Sequence, residues 1–315
     1  MKRVKLAQLP TPVEYSESLS KHYGLEIYIK RDDLTEFVGS GNKIRKLEYL
    51  MGQALSLKAT TVFTCGGVQS NHARATAYVS RRLGLHPVLF LRRTAGDTLQ
   101  GNRLLDEILG AEVVEVTEEE YENIEELYER EKEKREARGE RVYTIPEGGT
   151  NELGIMGYAR LIDEMEGQMD LDRITHIYCA VGSGGTALGL ALGVKMKGYN
   201  IHVVGINVTK RPKEFFFERA KNILEKLGKS GFGISGVLEK LSILDEFSGP
   251  DYAVPSHEDL KIIKEAARVG ALALDPVYTA KAFRGMVESA PRTSRVLFIH
   301  TGGTFGLFPF AELFE

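Results

Sequence analysis

Three apolar strands, each closing in a glycine-rich loop, constrain this chain more than any other feature. Residues 60–64 stop at Cys65-Gly66-Gly67, residues 176–181 at Gly182-Ser183-Gly184-Gly185-Thr186, and residues 295–300 at Thr301-Gly302-Gly303-Thr304. Short continuous apolar runs bounded by glycine read as strands covered on both faces, the habit of parallel sheets. Further strands are expected at 26–30, 86–91, 112–116, 142–145 and 202–206. Between them fall helical patterns at 43–51, 71–83, 101–109, 153–166, 186–196, 213–227, 261–269 and 278–287. This alternation predicts an α/β protein with two open, twisted, mostly parallel sheets and helices on both faces. Residues 47–155 would form a small domain. Residues 1–46 and 156–315 would form a larger one that uses both chain ends.

A length of 315 residues allows a large core, and two domains suit it. A net charge of -3 argues against nucleic acid or an anionic membrane as the main partner. The two cysteines, Cys65 and Cys179, form no C-x-x-C pair and read as small core residues in a reducing cytoplasm. The first residues offer no apolar signal segment, and the apolar run at 187–194 is too short to span a bilayer. Seven histidines show no H-E-x-x-H spacing, so no metal site is predicted. Residues 117–141 read as one charged, solvated helix, with Glu126/Arg130 and Glu131/Arg135 at i,i+4.

Chemistry is suggested first at Ser40-Gly41-Asn42-Lys43, where a strand turns into a helix. A lysine at such a corner can reach inward, lose its proton on desolvation and attack carbonyls. Lys46 shares its helical face and reads as part of a solvated basic helix start. Lys30 and Lys281 are competitors in settings poorer in glycine.

Ligands of such sheets collect at the carboxyl ends of the strands. Gly182, Ser183, Gly184, Gly185 and Thr186 form the best anion cradle there, because a helix N-terminus follows and small residues leave backbone N–H groups free. A bare βα turn is the alternative. No Walker sequence occurs, and strand 202–206 runs into Asn207 where a ribose-binding acid would stand, which weakens a nicotinamide reading. A small phosphorylated cofactor that bonds a lysine fits better, and pyridoxal 5'-phosphate has that chemistry. Ser70, Asn71 and His72 open another helix and suit a substrate carboxylate as well as an ordinary N-cap. Tyr278 reads by default as core, and Tyr252 as a loop residue.

Lys30-Arg31-Asp32-Asp33, Gly41-Asn42-Lys43, Arg45-Lys46-Leu47-Glu48, Gln69-Ser70-Asn71-His72, the 182–186 loop, Asp275-Pro276-Val277-Tyr278 and His300-Thr301-Gly302-Gly303 run in one order along the chain. Together they resemble the pyridoxal-phosphate family containing 1-aminocyclopropane-1-carboxylate (ACC) deaminase and D-cysteine desulfhydrase. That family has the tryptophan-synthase β fold (fold type II). The resemblance implies that Lys43 carries the cofactor, that Asn71 bonds its ring oxygen and that the glycine loop holds its phosphate. It further implies that Ser70, Asn71 and His72 hold the carboxylate of a small amino-acid substrate, with Tyr278 and Tyr252 beside the reacting carbon. A homodimer is implied too. ACC deaminases carry glutamate where this chain has Thr279, leucine where it has Thr301 and usually glutamine where it has His72. On these positions the chain resembles the desulfhydrases, with Thr301 expected at the pyridine nitrogen. D-cysteine α,β-elimination is therefore the expected activity, with ACC deamination as the alternative.

Overall fold

Alternating strands and helices become two sheets. The structure, a computed structural model, describes residues 2–93 and 99–315. In chain order these are β1 (Val13–Tyr15), α1 (Glu17–Tyr23), β2 (Glu26–Lys30), α2 (Asn42–Ser56), β3 (Thr61–Gly67), α3 (Asn71–Arg82), β4 (His86–Arg92) and α4 (Gly101–Ile108). Next come β5 (Glu112–Val116), α5 (Glu118–Glu122), α6 (Ile124–Glu136), β6 (Val142–Thr144), α7 (Met156–Ala159), α8 (Leu161–Glu166) and β7 (His176–Val181). The chain closes with α9 (Gly185–Lys197), β8 (His202–Asn207), α10 (Lys213–Lys229), β9 (Leu241–Leu244), α11 (His257–Gly270), α12 (Thr279–Ser289) and β10 (Arg295–Ile299).

Among the described residues one sheet has the order β1-β2-β10-β7-β8-β9, and the other β5-β4-β3-β6. Every pairing is parallel except β1 with β2. The period-2 geometry of a strand explains the composition of β7. Ile177, Cys179 and Val181 enter the core under α9, while Tyr178 and Ala180 enter the core under α12. Both faces are therefore apolar, and the strand reads as one continuous run. β10 does the same with Leu297 and Ile299 on one side and Val296 and Phe298 on the other.

Two sequence expectations need correction. The charged stretch 117–141 is not one helix. It breaks at Asn123 (φ -106°, ψ 33°), whose side-chain amide donates to the Glu119 carbonyl, and it stops at Glu136. The start of α2 is not a solvated basic surface either. From Ile44 to Gly52 every residue is buried, Lys46 included, because the helix lies wedged between the two sheets.

Arg45 shows how that wedge is held. Its guanidinium donates to both carboxylate oxygens of Asp32 (2.8 Å each) and to both of Glu164 (2.8 and 3.0 Å). Lys30 Nζ and the hydroxyl of Tyr158 complete the cluster, at 2.6 Å from Glu164 and from Asp32. Burial pushes the Asp32 carboxyl up most, but the Arg45 charge and hydrogen bonds, the Tyr158 hydroxyl and the Lys30 charge together outweigh it and hold the group below its ordinary range. The strand β2, the helix α2 and the helix α8 are thereby locked in register around the first turn that carries Lys43.

Candidate active site

The carboxyl ends of β7 and β10 meet the N-termini of α2, α3 and α9 in one narrow cleft. Asn42, Lys43, Asn71, the loop 182–186, Tyr278, Thr301 and Gly302 line it. Gly41 lets the chain enter α2 here: its φ is +101°, and a Cβ would stand 2.5 Å from the Thr301 carbonyl oxygen. The Asn42 N–H donates to that same carbonyl (3.1 Å), and the Asn42 side chain donates to Thr186 Oγ1 (2.9 Å). Lys43 is so placed at the floor of the cleft, on the first turn of its helix.

Of the four lysines weighed from the sequence, Lys43 alone lines the cleft. Lys30 is paired with Glu164, and Lys281 donates to the carbonyls of Ser248 and Asp251. Lys43 Nζ makes no hydrogen bond or ion pair among the described residues. Desolvation lowers its pKa to about 8, against the opposing pull of Glu147. The free amine is therefore a minority form at neutral pH, but far more populated than in an exposed lysine.

The loop 182–186 is shaped by what lies behind it. A Cβ on Gly182 would come within 3.0 Å of the Tyr278 ring, and one on Gly185 would stand 2.5 Å from Thr150 Oγ1 and 2.8 Å from Lys46 Nζ. Backbone N–H groups of residues 183–187 have no backbone partner among the described residues, as expected for the first turn of α9. Behind them sits Lys46, whose Nζ donates to the Gly148 carbonyl (3.2 Å) and Thr150 Oγ1 (3.3 Å). Thr150 Oγ1 in turn lies 2.7 Å from Ser183 Oγ. Burial, then the nearby Lys43 and Arg219 charges, hold the Lys46 pKa well below its ordinary value. A buried lysine without a counter-anion, directly behind a cradle of free N–H groups, is an arrangement that suits an anion. The sequence reading missed this placement of Lys46, since only the fold brings residue 46 to residues 150 and 185.

On the opposite wall, Ser70 caps α3 by accepting from the Ala73 N–H (3.1 Å). The N–H groups of Asn71 and His72 have no partner among the described residues and can receive an anion. Asn102 Nδ2 donates to Asn71 Oδ1 (3.0 Å), which turns the Asn71 amide NH2 toward the cleft. The His72 ring points away. Thr64 donates its hydroxyl proton to the Ile145 carbonyl, so it accepts from His72 Nε2–H (2.9 Å). Desolvation and the two neighbouring lysines keep this imidazole neutral.

Tyr278 stands over the glycine loop at the start of α12. Its hydroxyl meets that of Tyr252 at 2.5 Å. Burial raises the pKa of both phenols, so both stay protonated. Asp275 fixes the Tyr278 backbone by accepting from the N–H groups of residues 277, 278 and 279, and it also accepts from the Thr279 hydroxyl at 2.7 Å. Thr301 faces the cleft, and its hydroxyl has no partner among the described residues.

A desolvated lysine, an anion cradle and a facing amide, set between two mostly parallel sheets, define an enzyme that binds pyridoxal 5'-phosphate. The chain belongs to the pyridoxal-phosphate dependent enzyme family, whose sequence profile matches residues 4–302. It is 54% identical over 307 residues to a Thermotoga maritima protein named "Putative 1-aminocyclopropane-1-carboxylate deaminase", with 97% of each chain covered. It is 36% identical over 330 residues to the D-cysteine desulfhydrase of Klebsiella pneumoniae, covering 98% of this chain and 96% of that one. A crystal structure of an ACC deaminase homologue superposes with a TM-score of 0.92 at 36% identity, over 99% of this chain and 95% of the other.

Proposed function

We propose that this enzyme catalyses α,β-elimination of D-cysteine, with Lys43 as the cofactor's lysine. Water is taken up, and pyruvate, ammonia and hydrogen sulfide are released. The observation that carries the choice is the absence of any carboxylate among the described residues lining the cleft, where Thr301 offers a hydroxyl instead. When bound, the cofactor's pyridinium ring draws off the electrons left at the substrate Cα. A hydroxyl partner leaves the ring nitrogen less charged than a carboxylate would. The sink is then weaker, which suits a substrate that has an acidic Cα–H and expels a good leaving group such as a thiolate. Opening a cyclopropane that has no Cα proton demands more.

Each residue has a defined task in this reading. Gly182, Ser183, Gly184, Gly185 and Thr186 would hold the phosphate, with Lys46 as its counter-charge. Asn71 would donate from its amide to the ring oxygen, and Thr301 would offer its hydroxyl to the ring nitrogen. The Ser70 hydroxyl and the N–H groups of Asn71 and His72 orient the substrate carboxylate. Lys43 Nζ, when free of the cofactor, would remove the substrate's Cα proton, a step where a positioned base is worth ~10²–10⁴-fold. Tyr278, backed by Tyr252, holds a proton close to the departing sulfur. The reading also takes the chain as a cytoplasmic homodimer, divided into residues 47–155 and the remainder. That boundary at residue 46 falls inside α2, whose first turn belongs to the cofactor side. Among the described residues no helix is long and apolar enough to cross a membrane, and no cluster of metal-ligating side chains occurs.

ACC deamination is the second reading, favoured by the name of the 54% identical Thermotoga protein. Deuterium at Cα separates the steps. D-Cysteine labelled there should release sulfide more slowly than the unlabelled compound, as removal of that proton is required. Equal rates in single-turnover experiments would mean that removal of that proton does not limit sulfide release.

A further inference from the structure

Lys281 entered as a competitor for the cofactor, and the fold gives it other work. On α12 the N-cap Tyr278, Lys281 and Arg284 follow one another at spacings of three, so they share a face of the helix. All three reach the segment 247–256 between β9 and α11. Lys281, with no exposed surface, donates from Nζ to the carbonyls of Ser248 (2.6 Å) and Asp251 (3.2 Å). Arg284 donates to Ser256 Oγ (3.3 Å) and to the Phe247 carbonyl (3.4 Å), and stacks over the Phe247 ring at 5.5 Å. Lys210, from the loop after β8, holds the Gly249 carbonyl from the far side (2.6 Å).

Tyr252 is the residue directly after Asp251. The segment around it has little hold of its own: its Tyr252 N–H is turned onto Asp251 Oδ1 (2.6 Å), Ala253 sits at φ +58°, and Val254 is 45% exposed. Of its side chains, Phe247 is the one packed against the core under α12. Gripping the backbone on both sides of residues 249–250 is thus the means by which this loop is fastened to the helix that carries Tyr278. Burial lowers the Lys281 pKa most; Asp259 from α11 and Asp275 oppose that, while Arg284 and Lys210 add to it.

We propose that Lys281 is a positioning residue for the tyrosine pair: its ammonium pins the loop 248–252 to α12 and so presses the Tyr252 hydroxyl against that of Tyr278. The proposal rests on the elimination reading of the same cleft, in which that pair holds a proton near the leaving group. Lys281 itself does not line the cleft.

The test uses the cofactor-loaded enzyme and compares the parent with Lys281→Met, Lys281→Arg and Lys281→Gln, each also combined with Tyr252→Phe. Hydrogen exchange at the amides of 249–254 should quicken ~10-fold or more in Lys281→Met, the scale of losing charge-assisted hydrogen bonds from a local opening unit. The exchange of α2 and the cofactor affinity should stay as in the parent. Turnover should fall with little change in KM, Lys281→Arg should restore part of it, and Lys281→Met should cost nothing further once Tyr252→Phe is present. Unchanged loop exchange, or equal costs with and without Tyr252→Phe, would overturn the proposal. Should the methionine variant not fold, Lys281→Gln, which keeps one donor, must show loop exchange between parent and a fully released loop; parent-like exchange counts against the pin. If the parent eliminates no thiol from any amino acid, the functional reading falls while loop exchange still decides the role of Lys281.

Discussion

Asn102 Nδ2 donates to Asn71 Oδ1 at 3.0 Å, and this one bond decides which end of the Asn71 amide faces the cleft. Asn102 Nδ2 also holds the Gln69 carbonyl (2.8 Å), whereas its own carbonyl oxygen has no partner. Asn102→Leu should therefore leave the fold intact and weaken cofactor binding roughly 3–10-fold, the worth of about one neutral hydrogen bond. A cofactor titration followed by absorbance checks it. Unchanged affinity would mean that Asn71 keeps its orientation unaided.

Lys46 should act as the cradle's counter-charge. Lys46→Met is expected to lower affinity for the cofactor about 10–100-fold, since a bond between charged groups is worth about 1.5–3 kcal/mol. Without cofactor the same change should alter Tm little, because losing the Lys46 hydrogen bonds to Gly148 and Thr150 is offset by no longer burying an amine that lacks a counter-anion. Inorganic phosphate should raise the Tm of the parent and have less effect on the variant.

The pH dependence of the apo protein follows from Lys43. Its folded pKa of about 8 lies below the ordinary 10.5, so between those values the unfolded chain binds more protons than the folded one. The share of stability that Lys43 contributes therefore rises with pH across that window and is flat below pH 8. Denaturant titrations of the parent and Lys43→Met at several pH values read it as a difference in slope, steeper for the parent.

Arg45 carries a structural prediction. Arg45→Ala would leave Asp32 buried without its main counter-charge and should cost about 3–5 kcal/mol by urea denaturation. Arg45→Met combined with Asp32→Asn should recover a large part of that loss, as both charges leave together.

The glycine loops after β3, β7 and β10 were legible because backbone geometry demands glycine there and leaves a local trace. Lys43 was legible for the same reason, through Gly41. β1 and β9, three and four residues long, carry too few positions to establish a period, and α1 is a seven-residue helix fixed by packing rather than pattern. The burial of Lys46 had no local signal at all: a basic helix start looks the same whether it faces water or a second sheet. Asn102, Thr150 and Asp275 likewise act through partners far away in sequence or through backbone N–H groups, which side-chain spacing does not reveal.

One preparation can decide the choice of substrate. D-cysteine, L-cysteine and ACC are offered in parallel to the cofactor-loaded enzyme, with sulfide and 2-ketobutyrate measured together. Rapid sulfide release from D-cysteine, with far less from L-cysteine and little 2-ketobutyrate from ACC, is the predicted result. Ketobutyrate formed from ACC at a rate rivalling sulfide release, or sulfide from L-cysteine alone, would contradict it.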